Sequence, residues 1–155
     1  GYQGISFNSP GFSLATVEKP RFPRTVYADE AYIHWHKNRD IIVFAWGAQA
    51  VGFFADIYKM DGSDPKDIAD SYFTDVNIAR LERCKKKAAE LGCESVNVAL
   101  AYVLEQGQPI AAVIAPHNVK ELASSLKALK IRLSQEDMDW LRDGETAAYA
   151  THTNG

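Results

Sequence analysis

The chain lacks any apolar run long enough to cross a bilayer. Runs such as Ile41–Trp46 and Ile110–Ala115 fall far short of the roughly 20 residues that a transmembrane helix needs. No charged-then-apolar leader opens the sequence. Its two cysteines, Cys84 and Cys93, form no C-x-x-C motif, so we expect reduced thiols rather than a disulfide or a metal site. These absences predict a cytoplasmic protein without a membrane anchor.

A strong charge of either sign is also missing. The 155 residues carry 17 Lys and Arg against 20 Asp and Glu, for a net charge of −3, which gives no support for nucleic-acid or membrane-surface binding. His34 and His36 are two residues apart, so on a helix they point in different directions and cannot chelate one metal ion. We expect both to lie at the surface or to face a partner. The 46% apolar content is that of an ordinary globular protein.

The first half of the chain contains two predicted strands. A short apolar opening, Gly4–Asn8, favours a strand, and Asp29 is placed to cap a helix over Glu30–Asn38. Ile41–Trp46 is rich in β-branched and aromatic residues, which is typical of a strand buried on both faces, as in a parallel sheet. The following segment, Ala55–Val76, is polar and predicts an irregular excursion with a turn of helix.

The second half predicts four helices and one strand. A stripe from Ile78 to Leu91 marks a helix that Gly92 ends, and Ser95 is placed to cap a second helix with one apolar side. After a buried strand over Ile110–Ile114, a helix begins at Asn118. We expect that helix to bury Val119, Leu122, Leu126 and Leu129. Ser134 and Asp137 have capping-box spacing for a last helix over Gln135–Arg142.

The order of elements predicts an α/β fold with parallel strands joined by right-handed crossovers. There are only three predicted strands, however. A three-stranded parallel sheet has two open edges and little cover. The pattern therefore indicates part of a larger fold.

The stretch Ala111–Ser125 is the segment most suited to binding a ligand. A strand ends at Ala115-Pro116 and leads through His117-Asn118 into a helix. The free backbone N–H groups at such a helix start favour phosphate or another anion. Asn118 and Glu121 have capping-box spacing, which specifies the start of this helix.

Three segments of the chain resemble the aldo/keto reductases. The C-terminal segment ESVNVALAYVLEQGQPIAAVIAPHNVKELASSLKALKIRLSQEDMDWL is similar to the family's seventh helix, eighth strand, cofactor-phosphate turn and final helices. DIIVFAWGAQAVGFF is similar to the seventh strand and its loop, and ISFNSPGFSL to the sixth strand. Together the segments cover about Ile5–Leu141 in the family's order.

The resemblance implies a partial (β/α)8 TIM barrel. Residues 1–142 would supply strands six to eight with their covering helices, and residues 143–155 would form a polar tail. It also implies NAD(P)H-dependent carbonyl reduction at the carboxyl ends of the strands, where barrel active sites lie.

The resemblance also implies a set of cofactor-binding residues. Trp46 matches the aromatic residue that stacks on the nicotinamide ring, and Gly47, Ala48 and Gln49 match the loop along the pyrophosphate. His117 and Asn118 match the turn at the phosphate of the adenosine ribose, and Ser124 and Ser125 match the positions that hold the adenine.

The sequence departs from the family at several of these positions. The family's strand-six Gln is Ser9 here, the usual Arg near the 2′-phosphate is absent, and Glu121 lies close to that place. A carboxylate there would repel a 2′-phosphate, so we do not expect a preference for NADP. An acidic residue and an Asn, which usually hold the adenine, are replaced by Ser124 and Ser125.

No part of the chain matches the family's catalytic Asp, Tyr, Lys and His, which lie in the first half of the barrel. Tyr27, Tyr32, Tyr58 and Tyr72 lack the neighbouring Lys and His that would lower a tyrosine pKa. We therefore predict no catalytic residue in this chain.

Two classes of function remain. In the first, the chain is the cofactor-binding half of an aldo/keto-reductase-like enzyme, and an N-terminal half-barrel or upstream domain supplies the chemistry. In the second, it is a non-catalytic structural or assembly module of a larger oxidoreductase. A weaker third possibility is a half-barrel that closes by dimerising with a second copy.

Overall fold

The fold is a small parallel sheet with helices packed on one of its faces. A computed structural model describes residues 4–37, 39 and 41–145. Strands β1 (Phe7–Asn8), β2 (Ile42–Ala45) and β3 (Ile110–Ala112) pair in parallel in the order β1-β2-β3. This confirms the predicted α/β fold with three parallel strands.

The described part of the chain also contains six α-helices. They are α1 (Glu30–Trp35), α2 (Lys66–Tyr72), α3 (Asp75–Leu91), α4 (Ser95–Leu104), α5 (Val119–Leu126) and α6 (Gln135–Asp143). Two 3₁₀ segments, Ala50–Ala55 and Lys127–Lys130, complete the secondary structure of the described residues. The polar segment Ala55–Val76, which we expected to be irregular with a turn of helix, contains all of α2. This helix starts after Pro65 and packs on the first 3₁₀ segment.

Local capping explains most helix starts. The side chains of Asp29, Thr74, Asn118 and Ser134 each accept a backbone hydrogen bond at the start of α1, α3, α5 and α6. The start of α4 differs from the prediction, because Glu94 rather than Ser95 is its N-cap and forms a capping box with Asn97. Each start therefore depends on contacts within about one turn.

Helix α4 is the central helix of the domain. Every residue from Val96 to Val103 is buried, so the prediction of a single apolar side was wrong. A helix that is apolar all round is buried all round, and α4 packs against α3, β3, α5 and both 3₁₀ segments. Helix α3 buries Leu81, Cys84 and Ala88 of its predicted stripe, but Leu91 at the end of that stripe is 47% exposed.

The two faces of the sheet are covered unequally. On β2, Val43 and Ala45 are 0% exposed, whereas Ile42 is 44% and Phe44 38% exposed. The prediction that β2 is buried on both faces was therefore wrong. Side chains alternate along a strand, so one face packs on the helices. The other side, which we call the open face, carries Phe7, Ile42, Phe44 and Val113, all of them exposed.

Helix α5 also turns its large apolar residues outward. Val119 is 81% exposed, and Leu122, Leu126 and Leu129 are exposed as well, so the prediction that this helix buries them was wrong. The small residues Ser125 and Ala128 are buried instead, which lets α5 and the following 3₁₀ segment approach α4 closely. We call the four exposed residues the α5 stripe.

The histidine pair is split between surface and core. His34 is exposed, but His36 is only 1% exposed, so its predicted surface position was wrong. Its Nδ1 lies 2.9 Å from the Tyr32 carbonyl oxygen and its Nε2 lies 3.1 Å from Asn8 Nδ2. His36 therefore connects α1 to β1.

The end of the described chain is helical. Helix α6 extends through Asp143, the first residue of the predicted tail, and residues 146–155 lie outside the described residues. Within the described ranges, no helix combines the length and hydropathy that a membrane crossing requires.

Candidate cofactor site

Trp46 lies at the carboxyl end of β2 and continues the open-face alternation of Ile42 and Phe44. Its backbone N–H donates to the Pro10 carbonyl (3.1 Å), and its own carbonyl accepts from the Phe12 N–H (3.0 Å). The side chain is half-buried. The strand end therefore holds the Trp46 backbone on both sides while part of the indole remains accessible.

Two residues that sequence reasoning missed pack against the Trp46 ring. The Tyr27 ring meets the indole edge-on, with centroids 4.8 Å apart and planes at 62°. A Cβ atom on Gly11 would lie 2.7 Å from Tyr27 Cδ1 and 2.9 Å from Trp46 Cζ2. Neither residue stands at a recognisable spacing from Trp46, so only the fold brings the three together.

The loop after Trp46 is a left-handed turn anchored in the core. Gly47, Ala50, Val51 and Gly52 have φ values of 65°, 48°, 54° and 87°, and a β-branched residue such as Val51 rarely adopts this conformation. Ala48 and Ala50 are fully buried, and the Tyr58 hydroxyl donates to the Val51 carbonyl (2.6 Å). These contacts hold the predicted pyrophosphate loop in one shape.

Gln49 connects this loop to α5. Its Nε2 donates to Ser125 Oγ at 2.9 Å, so two predicted site residues from distant parts of the sequence are in contact. Ser125 is buried, whereas the Ser124 hydroxyl donates to Glu94 Oε2 (2.7 Å). Asn97 Nδ2 also donates to the Ser124 carbonyl at 2.9 Å. Both serine hydroxyls thus already have partners within the protein.

The predicted phosphate turn binds a carboxylate of the protein itself, that of Glu121. The Glu121 carboxylate accepts from the His117 backbone N–H (2.8 Å) and from Asn118 Nδ2 (2.8 Å). The His117 N–H and side chain hold the pKa of the Glu121 carboxyl below its usual range. The carboxylate therefore remains charged at neutral pH beside the N–H groups that a phosphate would use.

Ser9 does not extend into the site as a glutamine would. Its hydroxyl donates to the Phe44 carbonyl at 3.0 Å, which joins the end of β1 to β2. The short Ser9 side chain therefore forms a hydrogen bond within the sheet.

Tyr58 and Tyr72, two of the tyrosines considered above, are poor general acids. Burial raises the pKa of Tyr58, against a lowering by Arg21, and burial with a contribution from Tyr27 raises the pKa of Tyr72 to about 12. A general acid works best with a pKa near the operating pH.

Within residues 4–37, 39 and 41–145, no three His, Cys, Asp or Glu side chains gather as a metal site would require.

A cleft of about 330 Å³ beside the loop over residues 12–16 includes none of the predicted site residues. Its charged groups already have partners. Arg80 donates to the carbonyl oxygens of Leu14 and Arg142, and the Glu30 carboxylate accepts from both Tyr102 and Arg142. The charged side chains that line this cleft therefore already form hydrogen bonds and ion pairs within the protein.

The comparisons with known proteins identify the family. The sequence profile described as the aldo/keto reductase family matches residues 2–143. An uncharacterized oxidoreductase of Bacillus subtilis, YrpG, is 38% identical over 78 residues, which are 46% of this chain and 24% of that protein. The chain therefore spans about a quarter of this curated relative.

Solved structures resemble the fold at low identity. The glycerol dehydrogenase AKR11B4 of Gluconobacter oxydans matches with a TM-score of 0.65 and 17% identity, over 90% of this chain and 44% of that one. The thermostable aldo-keto reductase Tm1743 matches with a TM-score of 0.58 and 15% identity, over 92% and 40%. Gox0644, solved as a variant with NADPH, matches with a TM-score of 0.52 and 16% identity, over 92% and 39%. The chain belongs to the aldo/keto reductase family and forms part of its (β/α)8 barrel.

Proposed function

We propose that this chain is the cofactor-binding half of an aldo/keto-reductase-like oxidoreductase, corresponding to strands six to eight of the barrel. The observation that carries the proposal is the Gln49–Ser125 hydrogen bond of 2.9 Å. It joins the loop after Trp46 to the helix after β3, so the two predicted parts of the cofactor site lie at the same end of the sheet. Barrel active sites are built at this end.

The residues present fit the nicotinamide end of a dinucleotide better than a 2′-phosphate. Trp46 offers a half-buried indole for ring stacking, and the partly exposed Gly47 and Gln49 would line the pyrophosphate. Ala48 is fully buried and anchors this loop in the core instead. At the other end, Glu121 occupies the N–H of His117. A bound nicotinamide would supply the hydride, and the proton donor would come from the rest of the barrel, since this chain has no matched catalytic residue.

Cofactor binding is tested by titrating the chain with NADH and NADPH while following tryptophan fluorescence. We expect NADH to quench the parent chain and to lose most of this effect in Trp46→Leu. Trp35→Leu is the matched control, because Trp35 is exposed on α1 and is not one of the predicted site residues. Absence of quenching at millimolar concentrations, or equal quenching in Trp46→Leu, would refute the proposal.

Cofactor preference is tested with Glu121→Gln. The amide keeps the size of the side chain and removes its charge, so repulsion of a 2′-phosphate is relieved. We expect the affinity for NADPH to rise a few-fold relative to NADH, with Glu136→Gln on α6 as the control for net charge. An unchanged NADPH to NADH ratio would show that Glu121 does not face the 2′ position.

The partner that we propose is an N-terminal half-barrel, either upstream in a longer polypeptide or on another chain. Two exposed apolar surfaces support it, namely the open face of the sheet and the α5 stripe. A contiguous exposed apolar surface commonly marks an interaction site. The solved relatives contain more than half of their length beyond the matched region, and that region is the occupant we infer.

The partner proposal has two inexpensive tests. An in-frame upstream coding sequence with the family's Asp, Tyr, Lys and His would support it, whereas an unrelated upstream domain would favour a structural module. A measured solution mass of 17.2 kDa would exclude pairing of two copies, and a stable dimer would favour the self-closing alternative.

A further inference from the structure

The backbone contacts of Trp46 leave the direction of its ring undetermined. The bonds to Pro10 and Phe12 fix its main chain, but the two side-chain torsions could still place the indole in several rotamers. Contacts with the ring itself must therefore decide where the exposed surface of the indole points.

Two neighbours make these ring contacts, and their own backbone is fixed to the same strand end. The Gly11 N–H donates to the Val26 carbonyl (2.9 Å), and the Ala28 N–H donates to the Gly11 carbonyl (2.7 Å). Tyr27 is therefore held between two hydrogen bonds to the residue that also pairs with Trp46. Its edge-on contact with the indole then sets the ring plane.

Gly11 makes this arrangement possible by having no side chain. Any Cβ at this position would come within 3 Å of both rings, closer than carbon atoms pack. One ring would have to move, and the contact of 4.8 Å between the centroids of Tyr27 and Trp46 would be lost.

We propose that Tyr27 and Gly11 are positioning residues that hold the Trp46 indole in the orientation required for stacking on a nicotinamide ring. The inference rests on the proposed cofactor role of Trp46. If the indole is already oriented before binding, no side-chain entropy is lost when the cofactor binds. For one side chain this corresponds to about a two- to tenfold gain in affinity.

The first test needs no cofactor. The near-ultraviolet circular dichroism of Trp46 is obtained by subtracting the spectrum of Trp46→Leu from that of the parent chain. We expect this signal to persist in Tyr27→Phe, which keeps the ring, and to fall by more than half in Tyr27→Leu and Gly11→Ala. Thermal melting identifies any variant that fails to fold, and if Gly11→Ala does so, the two Tyr27 variants decide.

The second test measures NADH affinity in a double-mutant cycle. We expect Tyr27→Leu to weaken NADH binding about three- to tenfold, Tyr27→Phe to change it less than twofold, and Tyr27→Leu to have no further effect in a Trp46→Leu background. A normal Trp46 dichroism signal in folded Tyr27→Leu, or an undiminished effect of Tyr27→Leu without Trp46, would overturn the inference. If Trp46→Leu itself leaves NADH binding intact, the proposed function fails, whereas the dichroism test still judges the positioning.

Discussion

The two faces of the sheet show how one strand behaves with and without cover. Val43 and Ala45 are fully buried against the helices, whereas their neighbours Ile42 and Phe44, equally apolar, face outward. The same contrast recurs on α5, where small residues are buried and the α5 stripe is exposed. The chain thus has one buried core and two apolar surfaces that its described residues leave uncovered, which is the condition expected of part of a barrel.

The strongest test of this contrast is a matched pair of substitutions on β2. Val43→Asp buries an unpaired charge, so we expect it to lower the free energy of unfolding by about 3–5 kcal/mol, enough to unfold many single domains. Ile42→Asp places the same charge on the open face and should cost only about 1 kcal/mol. Urea denaturation followed by circular dichroism gives both values. Similar losses at the two positions would mean that the open face is covered in solution.

A second pair tests the two sides of the segment after α5. Ala128 is 1% exposed, so Ala128→Leu overpacks the contact with α4 and should cost about 1–3 kcal/mol. Leu129→Lys alters the α5 stripe and should change the free energy of unfolding by less than about 0.5 kcal/mol. Thermal melts at several protein concentrations would measure both. A large loss in Leu129→Lys that depends on concentration would indicate that two copies pair through the stripe.

Alkaline pH should destabilise the buried core through Tyr72. The folded-state pKa of Tyr72 is about 12 because burial, with a smaller contribution from Tyr27, disfavours the phenolate, whereas an unfolded tyrosine ionises near 10. The stability that this difference provides is complete below pH 10 and is lost as the pH rises from about 10 to 12. We expect phenolate absorbance at Tyr72 to appear together with unfolding, and Tyr72→Phe to make stability fall less steeply over this range. Ionisation of Tyr72 before any unfolding would contradict the assignment of this group to the core.

Much of the local structure could be predicted from the sequence. The caps at Asp29, Asn118 and Ser134 depend on a side chain and an N–H within about one turn, so residue spacing is sufficient to place these helix starts. The three strands were predictable because β-branched and aromatic residues cluster between turn residues. The family, too, could be inferred from the order of three motifs.

Burial was less predictable. The apolar run of β2 and the stripe of α5 indicate residues that pack against something, but the pattern does not say whether the covering element lies in this chain. For α5 the spacing pointed to Val119 and Leu122, whereas the fold buries Ser125. Approach to α4 selects the small side chains, and that choice depends on how two successive helices pack rather than on the pattern of α5 alone.

The sequence by itself determined the starts of α1, α5 and α6, the parallel α/β order, the family and the positions that we predict for its cofactor site. Only the tertiary structure decided which apolar faces are covered, that Glu121 sits on the His117 N–H, and that Gly11 and Tyr27 enclose Trp46. The physical reason is the distance along the chain over which each interaction acts. Caps and strand propensity act over a few neighbouring residues, whereas burial and ring contacts depend on segments that meet only when the chain has folded.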